Sequence, residues 1–311
     1  MQTTSHILMV RPVAFSYNTE TAVNNTFQRA GVDAGINARA QNEFDYFVAV
    51  LRSNDIDVTV INDVPEPHTP DSIFPNNWAS FHSDGTVVVY PMFATNRRTE
   101  RTKGIIEKLG EQFYISHVID LTHYEAVNKF LEGTGSMVLD REHRIAYACR
   151  SPRTHPEAFA DFCMRFEYEP VLFTAKDEGG KEIYHTNVMM CMATEYVVIC
   201  MDSVADEQEK EVLLQAFAQT RKEVIAISRE QMNQFAGNML QVHNRHGKKF
   251  LIMSAQAYRA FTLAQIQKLQ TYNHILHAPL YTIEQNGGGS ARCMIAEIFL
   301  QENKCITNSA L

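Results

Sequence analysis

Apolar and polar positions follow a pattern along this chain that recurs about every 50 to 60 residues. Each recurrence begins with two short apolar runs. A segment with apolar residues every three or four positions comes next, and a third apolar run ends it. Short apolar or alternating runs predict β-strands, and the wider spacing predicts an amphipathic helix. The pattern therefore predicts a repeated strand–strand–helix–strand unit.

The first unit illustrates the prediction. Residues 78–81 and 87–90 form apolar runs on either side of Asp84-Gly85, and Asp-Gly between apolar runs is a strong hairpin signal. A helix at 98–109 and a strand at 112–119 complete it. The other four units follow the same order of two strands, a helix and a closing strand. The second is predicted at 136–139, 144–148, a helix from 155, and 169–173, and the third at 187–192, 196–201, 206–219 and 223–227. The fourth is predicted at 238–242, 249–253, 263–270 and 273–277, and the fifth at 294–300, 6–10, 37–52 and 57–61.

The fifth unit draws its strands from both ends of the chain. This joins the last repeat to the first and removes the exposed sheet edges that an open array would have. A regular period of this length is typical of repeats arranged in a ring or an array. We therefore predict a five-bladed α/β propeller, with ββαβ units and the two termini sharing one blade, as a single domain over residues 1–311. The alternative is a single mixed α/β sheet.

Composition narrows the class of protein. Hydrophobic content of 45% and charged content of 21% are ordinary for a globular protein. The net charge of −8 argues against nucleic acid or an anionic membrane as the main partner. The chain has neither an apolar run near the ~20 residues that span a bilayer nor an export signal, which predicts the cytoplasm. The six cysteines should then be reduced. Without a CxxC pair they predict no metal site, and no organic cofactor is expected.

Polar side chains recur at one phase of the repeat, where the chain enters each hairpin. The segment before the first hairpin carries Asp71, Asn76 and Asn77, and the later entries carry Glu132, His185, Gly237-Asn238 and Cys293. In a ring of such units the entries face the central axis. A carboxylate, an imidazole and a thiol would converge there, although they are far apart in sequence.

Cys293 follows three consecutive glycines, Gly287 to Gly289, which allow the backbone to approach a bound molecule closely. Arg292 beside it and an imidazolium at His185 would favour the thiolate, the nucleophilic form. His185 could move protons near neutral pH, and Glu132 could orient a substrate nitrogen. Each residue also has a structural interpretation: a buried cysteine in a turn, a core histidine, and a glutamate that caps backbone groups.

Together these motifs resemble the guanidine-modifying, or pentein, superfamily. The resemblance extends from Met9-Val10-Arg11-Pro12 to Gly289-Ser290-Ala291-Arg292-Cys293-Met294. It is strongest to the bacterial arginine-deiminase-related proteins assigned as citrulline-utilisation hydrolases and to the dimethylarginine dimethylaminohydrolases. The superfamily fold is a five-bladed α/β propeller. The resemblance implies that Cys293 is the nucleophile, His185 the general acid/base and Glu132 its acidic partner.

The resemblance also implies an amino-acid site. In the Asp-x-x-Phe motif formed by Asp71 and Phe74, the carboxylate would meet the substrate α-amino group. Arg97 and Arg153 resemble the pair that holds the α-carboxylate, a task suited to the guanidinium fork. The structural interpretation of both arginines is solvated charge at helix ends.

Two departures from the relatives concern charge. The relatives usually have acidic residues two and three positions after the phenylalanine of Asp-x-x-Phe, where this chain has Asn76 and Asn77. Many of them also have His-x-Asp, where this chain has His185-Thr186-Asn187. Neutral amides suit a neutral urea better than a cation. We therefore expect a cysteine-dependent hydrolase that converts citrulline to ornithine. The alternatives are an arginine deiminase or dimethylarginine dimethylaminohydrolase, an amidinotransferase, and a catalytically silent propeller used for binding. The sequence leaves homo-oligomerisation open.

Overall fold

The fold consists of five units with the same strand topology. It is described by a computed structural model that covers residues 1–31 and 35–303. The strands, in chain order, are β1 His6–Arg11, β2 Asp57–Asn62, β3 Ala79–Phe81, β4 Thr86–Val89, β5 His117–Asp120, β6 Met137–Asp140, β7 Ile145–Cys149, β8 Glu169–Phe173, β9 Met190–Met192, β10 Tyr196–Ile199, β11 Glu223–Ala226, β12 Leu240–His243, β13 Lys249–Ser254, β14 His274–Ala278 and β15 Ala296–Ile298.

Each unit contains a hairpin and one parallel strand. β3 is antiparallel to β4, which is parallel to β5, and the same pairing recurs in β6-β7-β8, β9-β10-β11 and β12-β13-β14. In the fifth unit, β15 is antiparallel to β1 and β1 is parallel to β2. This confirms that strands from both ends of the chain share one unit. β15 also pairs with β3 through Ile298 and Phe81, so the fifth and first units form one six-stranded sheet.

Helices connect the second and third strands of the units. The α-helices are α1 Thr19–Ala22, α2 Ile36–Arg52, α3 Ile105–Gly110, α4 Gly133–Ser136, α5 Pro156–Phe166, α6 Thr186–Met189, α7 Glu207–Gln219, α8 Arg229–Asn233, α9 Ala255–Ala260, α10 Leu263–Gln270 and α11 Tyr281–Gly287. None of the described helices is long and apolar enough to cross a membrane. Side-chain caps begin several of them: Asp206 accepts N–H groups at the start of α7, and Thr262 forms a capping box on α10.

The first unit departs from its predicted helix. Residues Thr95–Thr102 form a 3₁₀ helix, and α3 begins only at Ile105. Gly104 separates them with φ of 70°, a left-handed conformation that ends one helix before the next begins. The predicted strand at 294–300 is also shorter, because the chain is still turning through residues 291–294 before β15 starts.

Hydrophobic clusters join neighbouring units. One contains Leu8 and Val10 of the fifth unit with Phe81 and Val87 of the first, and another joins Val88 of the first to residues of the second. A third runs through the second, third and fourth units, and a fourth joins α2 and β1 to β12 and β13. Each unit thus buries its apolar surface against both of its neighbours, and this burial is the main stabilising contribution to the arrangement.

Candidate active site

Short helical turns at the hairpin entries gather the predicted site residues around one small cavity. A 3₁₀ turn, Pro75–Asn77, precedes β3, while α4 and α6 precede β6 and β9. The lining residues are Thr21, Asn25, Asp71, Phe74, Asn77, Arg97, Arg153, Tyr184, His185, Gly287, Gly289 and Cys293. Seven of the nine residues predicted from the sequence are in this set. Glu132 and Asn76 lie behind it, each hydrogen-bonded to a lining residue.

His185 and Glu132 form a buried pair. His185 Nε2 lies 2.8 Å from Glu132 Oε2, and both side chains are essentially inaccessible to solvent. Glu132 Oε1 accepts a hydrogen bond from the backbone N–H of Phe93 at 3.0 Å, which fixes the orientation of the carboxylate. The contact places the proton of His185 on Nε2, because the carboxylate can only accept. Nδ1 is then the ring nitrogen available as a base.

Burial decides the charge states of this pair. Burial, together with the charges of Arg153 and Arg97, lowers the pKa of His185 to about 4 despite the opposing effect of Glu132. Burial would raise the pKa of Glu132, but Arg153, His185 and Arg97 together hold it well below its usual range. At neutral pH, Glu132 is therefore ionised and His185 is neutral. This lowered pKa disfavours the imidazolium expected from the sequence, because desolvation outweighs attraction to one carboxylate.

Cys293 is held by two asparagines. Its sulfur lies 3.2 Å from Asn238 Nδ2 and 3.6 Å from Asn187 Nδ2. The backbone N–H of Arg292 donates to Asn238 Oδ1 at 3.0 Å, which orients the Asn238 amide with its N–H groups toward the sulfur. Asn187 Oδ1 also lies 3.8 Å from the sulfur, so Asn238 supplies the fixed amide donor, which is suited to negative charge on sulfur. The Arg292 side chain bonds Ile295 O and Glu297 instead, so the stabilising group is an amide rather than the neighbouring guanidinium.

The three glycines allow other parts of the protein to pack closely against this loop rather than leaving open space around it. A Cβ on Gly287 would lie 2.8 Å from the Phe74 ring. One on Gly288, whose φ is 62°, would lie 2.5 Å from Asn25 Nδ2. Gly287 is also the last residue of α11, a helix absent from the sequence prediction. The glycine run therefore packs against Phe74 and the segment around Asn25.

Asp71 has one free oxygen. Its Oδ2 accepts hydrogen bonds from Asn18 Nδ2 at 2.8 Å and Thr21 Oγ1 at 3.2 Å. Its Oδ1 is buried and has no partner among the described residues. Burial raises the pKa of Asp71, although Arg97 and the hydrogen bond from Asn18 oppose the shift. An unpaired carboxylate oxygen beside the cavity can accept a hydrogen bond from a bound molecule.

A chain of hydrogen bonds fixes the direction of Asn77. Arg97 Nη1 lies 2.8 Å from Asn77 Oδ1, and a guanidinium can only donate. The contacting atom of Asn77 is therefore its oxygen, and Nδ2 faces the other way. Asn77 Nδ2 donates to Asn76 Oδ1 at 3.0 Å, and Asn76 Nδ2 donates to Thr134 Oγ1 at 3.2 Å. Each asparagine thus has a single orientation.

Arg97 itself is committed to the protein. Nε and Nη2 donate to Glu100 at 2.8 and 3.1 Å, and Nη2 also donates to the Phe74 carbonyl. Burial raises the pKa of Glu100 to about 7, with Arg97 acting in the opposite direction. The sequence predicted that Arg97 would hold a substrate carboxylate. In the structure its hydrogen bonds go to Glu100, the Phe74 carbonyl and Asn77, and a role with a substrate carboxylate stays a prediction.

Arg153 spans the cavity. Nε and Nη2 both donate to Asn24 Oδ1, at 2.9 and 2.6 Å, and Nη2 donates to the Thr21 carbonyl. Nη1 reaches Glu132 Oε2 at 3.4 Å, and the guanidinium lies over the Tyr184 ring. Asn24 Oδ1 therefore occupies the forked pair of donors, Nε and Nη2, of the Arg153 guanidinium.

The polar segment containing Asn18, Thr21 and Asn24 was missing from the sequence prediction, although it contacts Asp71 and Arg153. It has no apolar periodicity, and its only signal is a density of short polar residues. The contacts of Asn187 and Asn238 with sulfur were also missed, although both asparagines lie at the predicted phase of the repeat. Within residues 1–31 and 35–303, no group of three or more His, Cys, Asp or Glu side chains is placed to hold a metal ion. The five cysteines there are free, and Cys305 lies outside that part.

Repeated α/β units with a thiol, an imidazole and a carboxylate at their hairpin entries define a class of enzyme, the guanidine-modifying or pentein superfamily. The chain belongs to the family described as N,N dimethylarginine dimethylhydrolase, eukaryotic, whose family model matches residues 11–300. This confirms the resemblance drawn from the sequence. The family is named for the hydrolysis of N,N-dimethylarginine, a guanidino compound.

Solved structures share the fold. The apo form of ArgZ, an arginine dihydrolase from the ornithine–ammonia cycle in cyanobacteria, superimposes with a TM-score of 0.74 at 18% identity, over 94% of this chain and 40% of that one. Unliganded AgrE gives 0.74 at 20% identity, over 94% and 39%. A dimethylarginine dimethylaminohydrolase adduct with S-methyl-L-thiocitrulline gives 0.65 at 16% identity, over 94% and 99%. The chain thus spans about 40% of the length of ArgZ. No curated protein sequence matches.

Proposed function

We propose that this enzyme hydrolyses the ureido group of citrulline to give ornithine, carbon dioxide and ammonia. The observation that carries the proposal is the fixed amide of Asn77. Because Arg97 donates to its oxygen and Asn76 accepts only one N–H of Nδ2, Asn77 keeps a second N–H, which we place beside the cavity that this residue lines. A urea oxygen can accept that hydrogen bond. A guanidinium carries only donors and would set N–H against N–H, an arrangement that leaves both groups unsatisfied.

The mechanism follows from the groups around Cys293. Neutral His185 takes the thiol proton, and the sulfur attacks the ureido carbon. Negative charge develops on the urea oxygen, where Asn77 Nδ2 stabilises it. His185 then protonates the departing δ-nitrogen, which releases ornithine and leaves a carbamoyl thioester on Cys293. His185 deprotonates a water molecule that attacks this thioester, and the carbamic acid released breaks down to carbon dioxide and ammonia. Ionised Glu132 stabilises His185 while it carries the extra proton.

The amino-acid end of the substrate has two partners in this proposal. The free Oδ1 of Asp71 receives the α-amino group. Arg153 receives the α-carboxylate at the position where Asn24 Oδ1 now lies, since a carboxylate makes a stronger hydrogen-bonded pair with a guanidinium than an amide oxygen does. Arg97 positions Asn77 rather than contacting the substrate carboxylate. Phe74 and Asn76 support the site through the glycine loop and the Asn77 amide.

The wider arrangement is part of the same proposal. The five units form a closed five-bladed propeller, a single domain over residues 1–311 that acts in the cytoplasm. Shared hydrophobic clusters between each unit and its neighbours support the ring, as does the pairing of Ile298 with Phe81 between the fifth and first units.

A substrate panel tests the function. Citrulline, arginine, methylated arginines and agmatine are assayed for the amine product with the wild type and Asn77→Asp. We expect citrulline to exceed arginine in kcat/KM by about 10⁴-fold, as for a site built to bond a particular polar group. Asn77→Asp keeps the acceptor for Arg97 but replaces the N–H donor, so it should lower kcat/KM for citrulline by about 100-fold and favour arginine.

Cys293→Ala is the matched background, and it should have no turnover with any substrate. Wild-type enzyme that turns over arginine faster than citrulline contradicts the ureido assignment. Turnover by Cys293→Ala contradicts the nucleophile. A wild type that hydrolyses none of the panel supports the silent propeller.

A further inference from the structure

Glu284 is a buried carboxylate next to the nucleophile loop that the proposed mechanism does not use. It lies in the middle of α11, the helix that leads into the three glycines, and it is 2% exposed. A buried carboxylate is costly unless it is paired with a cation or fully hydrogen-bonded. None of the described lysine, arginine or histidine side chains forms an ion pair with Glu284, and its Oε2 has no hydrogen-bond partner among the described residues. A glutamine of the same shape would be cheaper to bury here.

Glu284 holds the loop at two points. Its backbone carbonyl accepts the N–H of Gly288 at 3.0 Å, which ends the helix. Its Oε1 accepts the hydroxyl of Ser290 at 2.6 Å, a short and charge-assisted contact when the carboxylate is ionised. The carbonyl of the fully buried Ser290 in turn accepts the N–H of Cys293 at 3.0 Å. Two hydrogen bonds therefore connect this carboxylate to the backbone of the nucleophile.

We propose that Glu284 is a positioning residue whose ionised carboxylate fixes Ser290, and through Ser290 the backbone of Cys293, so that the thiol is set for attack. The inference rests on the proposed role of Cys293 as the nucleophile. It adds a residue to Cys293, His185 and Glu132. This residue lies on α11, which carries none of those three.

The surroundings of Glu284 make its charge sensitive to pH. Burial raises the pKa of Glu284 to about 7. The nearby Ser254 and the hydrogen bond from Ser290 oppose this rise, and the charge of Glu43 adds to it. Glu43 approaches from α2, where it accepts the N–H groups of Thr282 and Ile283. The other charged or titratable groups on this side line the same open cavity as Glu284, namely Arg29, Asp177, Glu178 and Tyr281. The contact with Ser290 should strengthen as the pH rises through neutrality.

The test labels Cys293 directly with 2-chloroacetamidine, without substrate, from about pH 5 to about pH 9, and reads the modified peptide by mass spectrometry. We expect Glu284→Gln to slow labelling about tenfold above pH 7 and to remove the inflection near pH 7. Ser290→Ala should do the same, and the double variant should add nothing, because both changes break one path. Glu43→Gln is the control, since Glu43 touches α11 but not the loop. Loss of its charge should move the inflection to lower pH, while labelling above pH 8 should stay within about twofold of wild type.

A second readout separates positioning from stability. The raised pKa of Glu284 stabilises the fold below about pH 4.3, the unfolded value, and this stabilisation is lost as the pH rises to about 7. The Tm of Glu284→Gln, relative to wild type, should therefore increase between pH 5 and pH 8 while labelling falls.

Three results overturn the inference: a Glu284→Gln profile that coincides with wild type, losses in Glu284→Gln and Ser290→Ala that add, or a wild-type Cys293 that resists the label at every pH. Failure of citrulline hydrolysis alone leaves the labelling result standing, so the two proposals fail separately.

Discussion

At the scale of single residues, the site depends on which way neutral amides point. The sequence identified the asparagines at 76 and 77 but could not reveal their orientation, because that is decided by Arg97, twenty residues away. The same holds for Asn238, which the backbone of Arg292 orients toward the sulfur. Residue types at the repeat positions could therefore be predicted, and the hydrogen-bond directions that set their chemistry could not.

The charge of His185 provides a prediction at this scale. Burial lowers its pKa to about 4, so its ring should stay neutral at pH 6, where an ordinary histidine is mostly protonated. NMR of isotope-labelled imidazoles measures this, with the His185→Gln spectrum identifying the signal. The stability linked to this lowered pKa is present above about pH 6.5 and is lost as the pH falls toward 4. A His185 signal that titrates near pH 6.5 contradicts the assignment of a neutral base.

At the scale of elements, hydrophobic periodicity predicted all five units and most strand ends within one or two residues. β8 at Glu169–Phe173 and α10 at Leu263–Gln270 have the predicted bounds. The short turns α4 and α6 were missed, because a four-residue helix is too short to show a period of 3.6. α11 was missed because Ile283 is the only large apolar residue buried in it. These unpredicted pieces carry or flank the site residues.

Gly135 in α4 tests how tightly these turns pack. A Cβ there would lie 2.5 Å from Asn77 Nδ2 and 2.8 Å from the His185 ring. We expect Gly135→Ala to lower kcat/KM at least about 100-fold, because small displacements of catalytic groups are that costly. Gly110→Ala, where the added carbon would meet only Ile115 at 3.8 Å, is the matched control and should keep its activity. Full activity in Gly135→Ala, measured with the substrate panel, shows that the contact is not needed.

At the scale of the whole molecule, β1 is the strand that joins the two ends of the chain, with β15 on one side and β2 on the other. Leu8 in β1 is completely buried in the cluster shared by the fifth and first units. This closure was predictable, since the fifth unit lacks strands unless the termini combine. Its packing partners were not, because they depend on how neighbouring units rotate against each other.

Leu8 gives the prediction at this scale. Leu8→Ala should lower the free energy of unfolding by about 2–5 kcal/mol, the usual cost of removing a buried leucine side chain. Leu263→Ala, a side chain 73% exposed, should change it by less than about 0.5 kcal/mol. Denaturant unfolding followed by circular dichroism measures both. Equal effects of the two substitutions contradict the role of β1 in closing the fold.

The shared fifth unit also sets the order in which function can arise during synthesis. The ribosome releases β1 and β2 first, yet β1 lacks its antiparallel neighbour until β15, near the other end, has been made. Glu132 and His185 emerge well before Cys293. A growing chain therefore carries the proposed acid–base pair without its thiol, and the proposed nucleophile is made just before the strand that pairs with β1. Under the proposed mechanism, a chain interrupted before Cys293 would lack both its nucleophile and the antiparallel partner of β1.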